Sequence, residues 1–210
     1  MAVPNVDTAP RVLTSTEEMA ALIGRLAEEG AASIPVIDDA TCRALLAEAR
    51  RLPYRVARET IGEGESAVRQ DFELCMSFPA ESPFWPFAAA LEGHLAAALA
   101  ALDPPPVAGL KLNDLIVQRY QPGSAGITPH RDHVRYIGLV ALVTLAGAGR
   151  LYVCADRGGT DAREIPAPPG ALVLMRAPGF AGLRDRPFHF LKDITAERYS
   201  LGLRHDTQTG

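Results

Sequence analysis

From Lys111 onward the chain is cut into short apolar runs by glycine and proline, and this punctuation limits its possible folds more than any other feature. The runs are Leu115 to Tyr120, Tyr136 to Leu145, Arg150 to Cys154, Ala171 to Met175, Pro187 to Leu191 and Tyr199 to Leu203. Between them lie Pro122-Gly123, Gly147-Ala148-Gly149, Gly158-Gly159, Pro168-Pro169-Gly170 and Pro178-Gly179. Many short strands with such turns predict a β-sandwich or jelly roll.

The first half follows a different period. Ser15 with Glu18 three residues later forms a capping-box pattern, and Met19, Leu22, Ile23 and Leu26 recur at helical spacing up to Gly30. After the run Ile34 to Ile37, a second helix is expected from Asp38 or Asp39, with Cys42, Leu45, Leu46 and Ala49 on one face and Pro53 as its stop. Phe72 to Phe78 reads as a strand. An Ala-rich helix follows from about Pro86 to Leu102, ended by Pro104-Pro105-Pro106. The expected class is α+β, a jelly-roll core buttressed by N-terminal helices. The 210 residues fit one domain, with 1–106 mainly helical support and substrate-side elements and 107–207 the jelly-roll core.

Composition narrows the function classes. Hydrophobic content of 48% with 22% charged residues describes a soluble globular chain. The net charge of −4 disfavours nucleic acid as a partner, although a local basic patch fits within such a total. Cys42, Cys75 and Cys154 are odd in number and widely spaced, which argues against a zinc ribbon or a disulfide framework. Met1 to Pro10 carries no basic-then-apolar leader pattern. The most apolar stretch, Gly138 to Ala155, is broken by Gly147, Gly149 and Arg150, so it reads as two strands joined by a turn and not as a membrane span. A cytoplasmic location without membrane attachment is the expectation, and the sequence carries no signal for an oligomeric state.

Five histidines are present. His130 and Asp132 form H-x-D after the turn-rich segment Gly123 to Pro129; in extended backbone, side chains two apart point to the same side. His189 follows 57 residues after Asp132. Two imidazoles and one carboxylate on a triangular face suit Fe(II) with open positions, whereas a structural zinc site usually closes with four ligands. H-x-D alone is also common in solvated loops; the ordered residues downstream of it carry the signal. Arg198, Ser200, Gly202 and Arg204 share one strand face, and arginines directed inward require anions. A dicarboxylate co-substrate supplies two, gripped bidentately, while ion pairs to Asp193, Glu197 or Asp206 are the plainer alternative.

The order Gln118-Arg119-Tyr120-Gln121-Pro122-Gly123, His130-x-Asp132, Pro169-Gly170-Ala171-Leu172-Val173-Leu174, His189, then Arg198-Tyr199-Ser200-Leu201-Gly202-Leu203-Arg204 resembles the Fe(II)/2-oxoglutarate-dependent dioxygenase superfamily, most closely its AlkB-like branch. The resemblance implies a double-stranded β-helix core and an enzyme requiring Fe(II), 2-oxoglutarate and O2. It places His130, Asp132 and His189 on the iron ligands and Arg198, with Ser200 beside it, on the distal carboxylate of 2-oxoglutarate. Tyr120 falls on a tyrosine that helps hold the co-substrate, and Arg204 on a second arginine near its other end. Only eight residues separate His189 from Arg198, Gln118 stands where AlkB proteins commonly have asparagine, and the R-x-S triplet looks more like small-molecule hydroxylases of the superfamily.

A small-molecule substrate, an amino acid or natural-product intermediate, is therefore the first expectation. AlkB-like oxidative demethylation of nucleic acid is the second, and a jelly-roll binding module without turnover the third. Arg69 and Asp71, with Gln70 and Tyr54, and also His133, Arg135 and Tyr136, are candidates for the substrate rim.

Overall fold

The computed structural model describes residues 12–209, and the leader reading of Met1 to Pro10 lies outside them. Helix α1 (Thr16–Glu29) starts at Ser15 with the reciprocal capping box to Glu18 and stops at Gly30, whose φ of 75° suits glycine. Strand β1 (Ala31–Pro35) precedes α2 (Asp39–Ala49), which Asp38 caps. The apolar run expected at Ile34 to Ile37 thus begins its strand three residues earlier, and α2 ends well before Pro53. The next strands are short: β2 (Arg55–Val56), β3 (Thr60–Ile61), β4 (Val68–Asp71) and β5 (Glu73–Cys75). The single strand expected over Phe72 to Phe78 is therefore reduced to β5, and β4 joins the first half unannounced. Helix α3 (Phe84–Ala100) completes the helical layer.

The second half supplies β6 (Asp114–Tyr120), β7 (Gly126–His130), β8 (Tyr136–Cys154), β9 (Arg163–Ile165), β10 (Ala171–Arg176) and β11 (Phe188–Asp206). Here the structure corrects the sequence reading. Tyr136 to Leu145 and Arg150 to Cys154 are not two strands joined by a turn; they are the two arms of β8, 19 residues long. Likewise Pro187 to Leu191 and Tyr199 to Leu203 belong to one strand, β11. The two long strands pair antiparallel, with register shifts around Lys192, Ala196 and Tyr199. At the bend, Gly147 has φ 85°, and a Cβ there would sit 2.1 Å from the Glu197 carbonyl oxygen. Gly147 is thus a bulge that bends a strand, since β11 stays paired on both sides of it.

This bent ribbon belongs to two sheets. Its Tyr136–Ala146 and Tyr199–Asp206 arms lie in the order β1-β10-β8-β11-β6-β5-β2. Its other arms carry β9 on the β8 edge and β7, β4 and β3 beyond β11. That arrangement is a jelly roll. One face of the larger sheet packs Leu139, Ala141, Val143, Leu172, Leu201 and Leu203 against Met19, Ile23 and Leu26 of α1 and Phe87, Leu91 and Leu95 of α3. Ile116, Val140 and Val173 face inward instead, toward Ile127, Leu151 and Leu191 of the smaller sheet. Among the described residues no helix is long and apolar enough to cross a membrane.

Candidate functional site

Between the two sheets lies a cavity lined by His130, Asp132, His189, Tyr120, Arg198, Ser200 and Arg204, among others. His130 ends β7 and sits directly opposite His189 of β11 in the antiparallel register. Their rings lie 4.2 Å apart, centroid to centroid. Asp132 follows in the next loop, held there by Arg186, whose Nε donates to its backbone carbonyl at 2.7 Å. One ligand atom from each of His130, Asp132 and His189 lies within 4.8 Å of the other two. Residues 57 positions apart in the chain converge because β11 brings His189 to the end of β7.

The protonation states suit a cation. His130 Nδ1 lies 2.9 Å from the Thr128 carbonyl, which can only accept, so Nδ1 carries the proton and Nε2 keeps its lone pair. Burial, and then His189, hold the His130 imidazole well below its ordinary pKa; burial does the same for His189. Burial opposes ionisation of Asp132, but Arg204 foremost outweighs it and keeps the carboxyl below its usual value. At neutral pH the three groups are two neutral imidazoles and one carboxylate, the forms that bind metal.

Beside them stands a buried cation. Arg198, 4% exposed, donates from Nη2 to Thr144 Oγ1 at 2.9 Å, while its Nε has no hydrogen-bond partner among the described residues. It has no carboxylate partner among them either, so the ion pair with Glu197 or Asp193 does not form. Tyr120 lies opposite Arg198 in the β6–β11 register, and Ser200 lies opposite Thr144 in the β8–β11 register. Burial raises the Tyr120 phenol above its ordinary pKa, so it stays neutral and can donate.

Arg204 does form an ion pair, but with none of the acids considered from sequence. Its Nη1 lies 3.6 Å from Asp114 Oδ2, and its guanidinium stacks 4.6 Å over the Tyr136 ring. Gly202 makes room for it: a Cβ there would come 2.9 Å from Ile116 Cγ2 and 3.4 Å from Arg204 Nη2.

Solved structures share this architecture. A Pseudomonas putida prolyl-4-hydroxylase matches with a TM-score of 0.64 at 22% identity, over 89% of this chain and 97% of that one. A Trichoplax adhaerens prolyl hydroxylase, in complex with a hypoxia inducible factor oxygen degradation domain peptide fragment, matches at 0.66 and 13% identity, over 92% and 91%. A 2OG-Fe(II) oxygenase family oxidoreductase from Burkholderia pseudomallei matches at 0.63 and 16%, over 91% of each chain. The fold is that of the 2OG-Fe(II) oxygenases. No protein-family model and no curated protein matches the sequence.

Within this oxygenase fold a second, wider cavity of about 710 Å³ opens over the His130 and Asp132 side of the site. Of the residues expected at a substrate rim, His133 lines it. Gln70, also expected there, lines it too, but its neighbours Arg69 and Asp71 do not, which corrects their placement: β4 alternates, and Val68 and Gln70 share the cavity face. Asp71 clasps the turn that leads into β7, its carboxylate accepting from Ala125 N at 2.7 Å and its carbonyl from Ser124 Oγ. Arg135 and Tyr136 are likewise structural neighbours: Arg135 pairs with Asp206 at 3.2 Å and donates to the Tyr136 hydroxyl. Tyr54 donates to the Ala49 carbonyl at 2.8 Å and lines neither cavity. Sequence reasoning missed Thr144, Arg186 and Asp114, which hold site residues through contacts between segments far apart in the chain. It also missed the cavity-lining Arg55, Arg58, Phe72 and Leu74.

Proposed function

We propose that this chain is a non-haem Fe(II) dioxygenase that uses 2-oxoglutarate and O2 to hydroxylate a C–H bond of a small molecule. The observation that carries the reading is Arg198: a buried guanidinium without an acid partner among the described residues, in the same cavity as two neutral imidazoles and an ionised carboxylate. An uncompensated buried charge costs several kcal/mol, on the order of 3–5, unless a ligand anion meets it. A dicarboxylate that reaches both the metal and Arg198 removes that cost.

His130, Asp132 and His189 would hold Fe(II). When bound, Fe(II) supplies the O2 activation that couples oxidation of 2-oxoglutarate to succinate and CO2 with hydroxylation of the substrate. Arg198, fixed by Thr144, would grip the distal carboxylate of 2-oxoglutarate, with Ser200 and Tyr120 donating beside it. Arg204, paired with Asp114, would help to keep Asp132 ionised through its charge. Ile127, Leu142 and Leu151 exclude water from the slot.

In the same reading residues 107–207 form the catalytic core of one domain, and elements of 1–106 cover its substrate side. Three free thiols suit a reducing, cytoplasmic setting. A second reading, AlkB-like demethylation of nucleic acid, draws on the motif order from Gln118 to Arg204 and on the exposed arginines Arg55 and Arg58 at the wider cavity. Salt-sensitive binding of a methylated oligonucleotide would favour it. The test of the first reading is a succinate-release screen over candidate small molecules with Fe(II), 2-oxoglutarate and ascorbate. Substrate-dependent succinate that vanishes without Fe(II) is the expected result; no stimulation by any small molecule alongside stimulation by methylated oligonucleotide would transfer the assignment.

A further inference from the structure

The lining of the wider cavity is of two kinds. Its apolar wall is built by Ile61, Val68, Phe72, Leu74, Ile116 and Ile127. Its charged groups are mostly cationic. Four arginines line the cavity, against one acid, Asp132. Two of the four are matched: Arg131 pairs with Asp185 at 3.0 Å, and Arg204 with Asp114. Arg55 and Arg58 have no ion-pair partner among the described residues, in a chain whose net charge is −4. Unmatched like charges at the mouth of a low-dielectric cleft focus the field into it.

The backbone that carries them is fixed. Arg55 pairs with Leu74 in the β2–β5 register, and Ala57 N donates to the Phe72 carbonyl at 2.9 Å. The Arg58 carbonyl accepts from Gln70 Nε2 at 2.9 Å, and Gln70 N donates to the Glu59 carbonyl at 2.8 Å. The segment carrying both arginines is thus pinned to cavity-lining residues of β4 and β5.

We propose that the substrate is a small carboxylic acid with an apolar body, its carboxylate held by Arg55 and Arg58 and its body laid along the apolar wall toward His130. The proposal rests on the hydroxylase reading for what happens to the substrate, but not for how it binds. A volume of about 710 Å³ fits a small molecule, within the roughly 300–1,000 Å³ of ordinary ligand sites. Arginine forks grip a carboxylate bidentately and leave the apolar end to set the depth of insertion.

The test compares 4-phenylbutyrate with its neutral amide, 4-phenylbutanamide, binding to the full chain by ligand-observed NMR. The acid is expected to bind at least about tenfold tighter than the amide, the ordinary gain from one charge-assisted contact. Arg55→Gln/Arg58→Gln, two exposed positions, should bring the two ligands to equal affinity. Arg198→Gln should leave the preference in place, because the co-substrate slot is not where the probe sits. Equal binding of acid and amide, no binding of the acid, or a preference that survives the double substitution or is lost with Arg198→Gln overturns the proposal. So does displacement of the acid by a single-stranded oligonucleotide, which assigns the arginines to phosphates. Failure of the hydroxylase reading registers separately, as no joint binding of Fe(II) and 2-oxoglutarate by the unaltered chain.

Discussion

The two faces of β11 differ residue by residue. Tyr199, Leu201 and Leu203 face the helices and join an apolar core with Met19, Ile23 and Leu91. Arg198, Ser200 and Arg204, their immediate neighbours, face the cavity. The same alternation runs through β6, where Leu115 and Val117 meet the helical layer while Gln118 and Tyr120 line the slot. On the helix side the large apolar groups pack on one another. On the cavity side a buried guanidinium with no acid partner among the described residues stands beside two neutral imidazoles and an ionised carboxylate whose ligand atoms lie within 4.8 Å of one another. Because strand side chains alternate, one element can carry the stability of the fold and the chemistry of the site on adjacent residues.

If the two faces do separate stability from chemistry, substitutions should sort by face. The largest effect falls on metal binding: His189→Ala should abolish Fe(II) uptake measured by equilibrium dialysis, while far-UV circular dichroism stays that of the native fold. Arg198→Met should raise the Kd for 2-oxoglutarate at least roughly 30-fold, the low end of the 2–5 kcal/mol typical of truncating one buried charged partner. The same variant should also raise the Tm of the cofactor-free chain, because it removes a buried charge that has no acid partner among the described residues. A fall in that Tm would show that Arg198 is already satisfied within the chain. On the opposite face, Leu201→Ala should cost about 2–5 kcal/mol in denaturant unfolding yet leave Fe(II) affinity of the folded protein unchanged. The smallest change, Ser15→Ala at the α1 cap, should cost about 1 kcal/mol and no cofactor affinity.

What could be read from the sequence was whatever local chemistry decides. The capping box at Ser15, the glycine stop at Gly30 and the shared face of Arg198, Ser200 and Arg204 each follow from spacing alone. The convergence of His130, Asp132 and His189 was legible only through the order of motifs, since nothing local links positions 132 and 189. Bends were not legible: Gly147-Ala148-Gly149 reads the same whether the chain turns back or continues as a bulged strand, and only pairing with β11 decides. Strand phase was not legible in β4: of the rim candidates Arg69, Gln70 and Asp71 only Gln70 lines the cavity, with Val68 two residues before it. Partners supplied by other strands, such as Thr144 for Arg198 and Asp114 for Arg204, leave no trace in local sequence.

The most direct measurement is an anaerobic titration of the purified chain with Fe(II) and then 2-oxoglutarate, followed by visible absorption. A weak charge-transfer band that saturates at one equivalent of each, is absent in His189→Ala and needs far more 2-oxoglutarate in Arg198→Met is the predicted result. A chain that binds neither ligand, or a band unchanged by either substitution, would contradict it.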